Sequence, residues 1–225
     1  MEGIRQVTPE LEGLGVRSTV ACLDGADAAW LGDVPCRVVS LGPGWSGYGY
    51  RRGLVPRLRE LAGEHDVVIV HGLWQYHGLA AWRALHAGEV PYLVQTHGML
   101  DPWFKRRYPL KHLKKWLYWP WADYRLLRDA QAVLFTSERE RELARETFWL
   151  YRAKERVISY GTSRPVGDAA EQRRAFLAQW PALQGRRLLL FLGRIHPKKG
   201  VDLLIEGFAS VADRDPSLQL VLAGP

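Results

Sequence analysis

The sequence predicts an α/β protein: a doubly wound, parallel-sheet domain followed by the opening of a second. Three observations carry that expectation. The apolar runs Val67-Val68-Ile69-Val70, Ala132-Val133-Leu134-Phe135 and Leu188-Leu189-Leu190-Phe191-Leu192 are too short to span a bilayer, and they are continuous in the way that strands buried on both faces are. Segments of helical periodicity lie between such runs, so strand and helix alternate. Each run also ends on glycine or polar residues, the turn chemistry that joins a strand to a helix.

Composition fits a globular protein of this kind. The 225 residues exceed one typical domain and fall short of two full ones. Hydrophobic residues make up 47% and charged residues 24%, enough to bury a core beneath an ordinary polar surface. Cys22 and Cys36 lie in separate apolar runs with no metal-ligand spacing, so they read as reduced, buried thiols, which suits the cytoplasm. No apolar stretch reaches the length of a transmembrane helix, and Met1 to Arg5 lacks the regions of a signal peptide. The net charge of +7 admits nucleic acid, an anionic membrane surface or a phosphorylated substrate as partner, and its distribution has to decide among them.

In chain order, Ile4, Val7, Leu11 and Leu14 recur at helical spacing, and Gly15 stops that helix. Val16 to Leu23 and Cys36 to Leu41 read as strands joined through Asp24-Gly25 and Pro35. The glycine-rich stretch from Leu41 to Tyr50 has neither a phosphate-loop lysine nor a dinucleotide fingerprint. It reads as a mobile loop at the rim of a ligand crevice, or as a plain surface loop. A helix over Leu54 to Ala62 leads to the strand Val67 to Val70, and a helix over Leu79 to Ala87 leads to Tyr92 to Gln95. Beyond Phe135, Ser137 caps a charged helix over Glu138 to Thr147. Arg156 to Tyr160 is a short strand, and Gly161 to Gly167 has linker composition. The domains divide as 1–168 and 169–225, with a helix over 170–179 opening the second.

Two places concentrate chemistry. His71 and His97 each stand at the carboxyl end of a parallel strand and each precedes a glycine, Gly72 or Gly98, so both should face the crevice where open α/β sheets bind ligands. After Leu192, Gly193 and Arg194 open a turn that closes with Lys199 and Gly200 ahead of an amphipathic helix. Strand, turn and helix converge backbone N–H groups and fixed cations on one anion, the arginine as a planar fork and the lysine as a point charge.

The segment Trp103 to Arg128 accounts for the basic charge. It holds Lys105, Arg106, Arg107, Lys111, Lys114, Lys115, Arg125 and Arg128 against the single acid Asp123, interleaved with Trp103, Phe104, Trp116, Tyr118, Trp119 and Trp121. As one helix it has two faces, with Lys111, Lys114, Lys115 and Tyr118 on one and Leu110, Leu113 and Leu117 on the other. It is either a domain helix that docks its leucines on the core, or a surface for anionic lipid headgroups with Lys111, Lys114 and Lys115 at the membrane. Basic and aromatic composition alone supports nucleic acid only weakly.

Gly193-Arg194, Lys199-Gly200, the Leu-Leu-Ile-Glu-Gly-Phe helix and Leu220-Val221-Leu222-Ala223-Gly224, together with Thr96-His97-Gly98, resemble the retaining glycosyltransferases of family 4. The resemblance implies the GT-B arrangement: a Rossmann-like amino-terminal domain, here lacking its first strand, and the truncated start of a second. It implies that Arg194 and Lys199, with Gly193, hold the diphosphate of a nucleotide-sugar, and it favours His97 over His71 as the residue lining the reaction centre, with Gly98 beside it; His71 stays at the substrate by its place at the crevice. No metal or other cofactor is implied. The implied activity is transfer of a hexose to a glycan or lipid-linked acceptor in cell-surface polysaccharide synthesis, in the cytoplasm or on the inner face of the membrane, with little activity from this stretch alone. The junction departs from the family pattern at Ser159, Tyr160 and Ser163. A non-catalytic module that keeps the fold and binds membranes or a partner is the alternative.

Overall fold

The computed structural model describes residues 2–159, 161, 164 and 166–225; Tyr160 and Ser163, two of the three departures at the junction, lie outside them. The chain forms two compact units, Met1–Ser163 and Arg164–Pro225.

The first unit opens with α1 (Glu2–Gly13), β1 (Thr19–Cys22), β2 (Arg37–Ser40) and α2 (Leu54–Ala62). It continues through β3 (Val68–His71), α3 (Tyr76–Leu85), β4 (Tyr92–Gln95), α4 (Trp103–Arg107), α5 (Pro109–Tyr118) and α6 (Asp123–Asp129), and ends in β5 (Ala132–Phe135), α7 (Glu138–Ala144) and β6 (Glu155–Val157). Strands β3, β4, β5 and β6 form one parallel sheet in that order, and β1 pairs with β2 in a second parallel sheet. The central strands are the most deeply buried: Val94, Val133 and Phe135 are fully enclosed. Continuous apolar strands need cover on both faces. That cover comes from Leu85, Trp119, Leu126, Leu127 and Phe148, while Leu54, Leu61, Leu79 and Ala80 form a second cluster where α2 packs on α3.

Between β1 and β3 lies a cavity of about 600 Å³ lined by Thr19 and Ala21 on one side and Val68, Ile69 and His71 on the other. Among the described residues, no strand pairs with the edges of β1 and β3 that face it. The glycine-rich loop is tied down rather than left open. Trp45 and Tyr50 form an antiparallel bridge, and the Tyr48 ring packs against Tyr76 and Tyr118, its hydroxyl 3.0 Å from that of Tyr118. Cys22 and Cys36 are free thiols as expected, but only partly buried.

The basic segment departs from the single helix expected of it. Tyr108 (φ −134°, ψ 68°) breaks α4 from α5 because the residue before proline is pushed out of the helical region. A 3₁₀ turn over Trp119–Trp121 then separates α5 from α6. The docking face of α5 is also reversed. Leu110, Leu113 and Leu117 are 83%, 57% and 67% exposed, whereas the Lys115 ammonium sits 4.4 Å from the Trp74 ring centroid and His112 stacks on Phe148. Rings and a long lysine stem therefore cover the core here in place of the leucines, and Trp119, buried at the end of α5, anchors that face.

The second unit contains α8 (Ala169–Gln179), β7 (Arg187–Leu192), α9 (Val201–Ala212) and β8 (Leu218–Ala223), with β7 and β8 parallel. Here the expectation of a strand buried on both faces is corrected: Leu190 and Leu192 of β7 are exposed, since the two-stranded sheet leaves its apolar faces largely uncovered.

Candidate functional site

His71 ends β3, and the Gly72 N–H continues the ladder by donating to the Gln95 carbonyl at 2.9 Å. Gly72 has φ 84°, so the chain turns away as soon as the strand ends and the imidazole is left at its carboxyl edge. His97 stands two residues past β4 with φ 49°, a left-handed conformation uncommon for a residue with a side chain. The fold brings the two together: His71 Nδ1 lies 3.0 Å from His97 Nε2, and their rings stack with centroids 5.2 Å apart. His77 on α3 adds a third imidazole, its Nε2–H donating to the His71 carbonyl at 2.9 Å.

Burial disfavours the charged form of all three rings. Enclosure by protein atoms, then the neighbouring His97 and His77, push the His71 imidazole well below its ordinary value. Burial lowers His77 and His97 too, the latter against the pull of the Glu140 carboxylate. A stacked pair of neutral imidazoles offers both donors and acceptors, which suits the hydroxyls of a polyol better than an anion.

Glu140 holds this geometry and was not singled out from the sequence. From the first turn of α7, one carboxylate oxygen accepts from Thr96 Oγ1 at 2.9 Å and from the Gly98 N–H at 2.7 Å. The other accepts from the Thr136 N–H and Oγ1, each at 2.7 Å. Burial alone would raise this carboxyl, but the donors on Thr136, Gly98 and Thr96 outweigh it and hold it below the usual range. Glu140 therefore ties the turn carrying His97 to the end of β5, and with both oxygens engaged it is not placed to act as a nucleophile. Its one sequence signal is its position three residues after Ser137, whose Oγ accepts from the Glu140 N–H as the predicted cap.

Asp123 also went unremarked beyond being the segment's lone acid. It is fully buried at the start of α6, and Oδ2 accepts from the Trp74 N–H at 3.0 Å. Among the described residues Oδ1 has no hydrogen-bond partner. Burial pushes its carboxyl up to about 7, against the nearby Lys115 charge.

In the second unit, Gly193, Arg194 and Lys199 belong to one turn. The Gly193 N–H donates to the Ala223 carbonyl and the Ile195 N–H to the Pro225 carbonyl, each at 2.9 Å, so the last residue of β8 and Pro225 beyond it brace the turn on both sides of Arg194. The approach is close: a Cβ on Gly224 would stand 1.9 Å from the Gly193 carbonyl oxygen. Pro197–Lys199 is a 3₁₀ turn capped by His196, and Gly200 takes the left-handed conformation (φ 64°) that starts α9. Arg194 and Lys199 are both exposed at opposite ends of this turn. Lys111 and Lys114 are exposed on α5, whereas Lys115 turns inward against Trp74 and is a packing residue. Among the described residues, no cluster of three or more His, Cys, Asp or Glu could hold a metal ion, and no helix is long and apolar enough to cross a membrane.

Parallel sheets with ligand-ready carboxyl ends in one unit, and a cationic strand–turn–helix in the other, define a GT-B-type glycosyltransferase fold. The chain belongs to the glycosyltransferase 4-like family: residues 2–161 match the glycosyl transferase 4-like domain, and residues 172–225 match glycosyl transferases group 1. Among curated relatives, the mannosylfructose-phosphate synthase of Agrobacterium fabrum is 31% identical over 162 residues, covering 65% of this chain and 34% of the relative. The alpha-D-kanosaminyltransferase of Streptomyces kanamyceticus is 35% identical over 105 residues, 46% of this chain and 27% of that one. Among solved structures, Anabaena HepE in complex with UDP and glucose superposes with a TM-score of 0.61 at 18% identity, covering 97% of this chain and 55% of HepE. The chain thus spans about a third of the length of these curated relatives and about half of that structure.

Proposed function

We propose that this chain serves a retaining hexosyltransferase that draws on a nucleotide-diphospho-sugar and passes the sugar to a glycan or lipid-linked acceptor in cell-surface polysaccharide synthesis. The observation that carries the reading is the braced turn from Gly193 to Gly200, with exposed cations at both ends, in a chain that matches glycosyltransferase domains over residues 2–161 and 172–225. In this reading the second unit binds the donor: Arg194 and Lys199 neutralise the diphosphate, and Gly193 lets the backbone approach it. Side-chain cations do the work a metal would otherwise do. The first unit supplies His97 and His71 as neutral hydrogen-bonding groups for sugar hydroxyls, with Gly98 leaving room beside them. In this reading the configuration is retained by attack on the face the phosphate leaves, the departing phosphate taking the acceptor's proton; Glu140, whose two oxygens are engaged by Thr96, Gly98 and Thr136, is not free to act as a nucleophile. The free thiols of Cys22 and Cys36 suit the reducing, cytoplasmic side.

Because the chain spans a minor part of its curated relatives, donor binding is the decisive readout. Calorimetric titration with UDP and GDP should show saturable binding. Arg194→Ala and Lys199→Ala should each weaken it about tenfold, as expected for lost charge-assisted hydrogen bonds. An affinity untouched in the double variant overturns the assignment.

A further inference from the structure

The basic segment, whose Asp123 and Lys115 turn inward, also builds a surface of its own. On α5, Leu110, Leu113 and Leu117 follow one another at i, i+3 and i+7, and all three project to solvent at 83%, 57% and 67% exposure. Trp116, 41% exposed, flanks the ridge, and its ring lies 5.8 Å from that of Trp149, itself 66% exposed. At the far end Trp121 donates its indole N–H to the Leu117 carbonyl at 2.9 Å and leaves nearly half its surface in water. A contiguous ridge of leucine and tryptophan is costly to leave wet and marks a contact surface.

Charge identifies the occupant. Lys114 borders the leucine ridge directly on the helical wheel and Lys111 follows it; both are exposed, and neither forms an ion pair among the described residues. Lys105, Arg106 and Arg107 of the neighbouring α4 extend the same sign, with Arg106 only 3.9 Å from Glu146 as partial compensation. A second copy of this chain would bring two such cationic rims together and be repelled. An anionic lipid surface meets both demands at once, with headgroups for the lysines and acyl chains for the leucines.

We propose that α5 is a membrane-docking helix, with Leu110, Leu113 and Leu117 entering an anionic bilayer surface and Lys111 and Lys114 bound to its headgroups. This alters the assignment available from the sequence in one respect: Lys115 faces inward against Trp74 and takes no part.

Co-sedimentation with phosphatidylcholine vesicles, with and without phosphatidylglycerol, tests it. The protein should bind only the anionic vesicles and be released by salt. Leu110→Ser/Leu113→Ser/Leu117→Ser and Lys111→Glu/Lys114→Glu should each reduce binding by more than about tenfold. These side chains are exposed, so circular dichroism should show both variants folded; should the serine variant unfold, the lysine pair decides alone. Three outcomes overturn the proposal: no binding to anionic vesicles, equal binding of wild type and variants, or a dimer in light scattering that the serine substitutions disperse. Donor affinity is measured separately and should be the same in all of these proteins, so failure here leaves the nucleotide-sugar reading standing.

Discussion

Replacing Glu140 by alanine should destabilise the first unit by about 3 kcal/mol and free the turn that carries His97. The carboxylate accepts four hydrogen bonds, two of them from the backbone N–H groups of Gly98 and Thr136, and alanine leaves those donors without a protein partner. Glutamine is no conservative substitute. It keeps one oxygen and turns an amide N–H₂ toward either the Thr96–Gly98 pair or the Thr136 pair, so Glu140→Gln should lose about half as much. The pH dependence has a definite sign. Because the folded carboxyl is held below its ordinary value, the stabilisation is complete above the unfolded pKa and fades as pH falls through the folded one. Urea unfolding of the wild type and both variants, with hydrogen exchange at the Gly98 amide, checks it. A Gly98 amide equally protected in Glu140→Ala would show that something else holds the turn.

Asp123→Asn should change how stability depends on pH. The buried carboxyl is raised to about 7 from an ordinary carboxylate value near 4, so between those values the folded state holds a proton that the unfolded state has released. Stability from this group therefore falls as pH rises across that interval and is flat above it, with a span of up to about 4 kcal/mol. Asparagine carries no proton to lose and keeps an oxygen for the Trp74 N–H, so the variant's stability relative to wild type should climb from pH 4 to 7. Taking the difference removes the opposite slope from His71 and His77, whose lowered values make stability fall as pH drops below the usual histidine range. Lys115, Tyr48 and Tyr118 lie around the same carboxyl; both tyrosines are raised and stay neutral over this interval, while burial lowers Lys115 against the pull of Asp123. Parallel stability curves for the two proteins would contradict the buried-acid account.

The sheet was largely legible from local pattern. The helix over Leu54–Ala62 and the strands Tyr92–Gln95 and Ala132–Phe135 form where apolar spacing and turn residues place them, and His71 and His97 meet because each ends a neighbouring parallel strand. Glu140 and Asp123 were not legible, because their roles come from donors distant in sequence: Gly98 is 42 residues from Glu140 and Trp74 is 49 from Asp123. Helical spacing divides α5 into two faces, but it does not say which one turns inward. That depended on Trp74, Tyr48 and Phe148, which meet Lys115, Tyr118 and His112 only in the folded chain.

The cavity beside β3 has a consequence for how water reaches the backbone. Along that strand the amides of Val68 and Gly72 point toward β4, so those of Ile69 and His71 point the other way, into a space that holds no neighbouring strand among the described residues. Protons on Ile69 and His71 will therefore trade with solvent far sooner than those on alternate residues, and a seam of wet main chain runs along this edge of the sheet to the foot of the histidine pair.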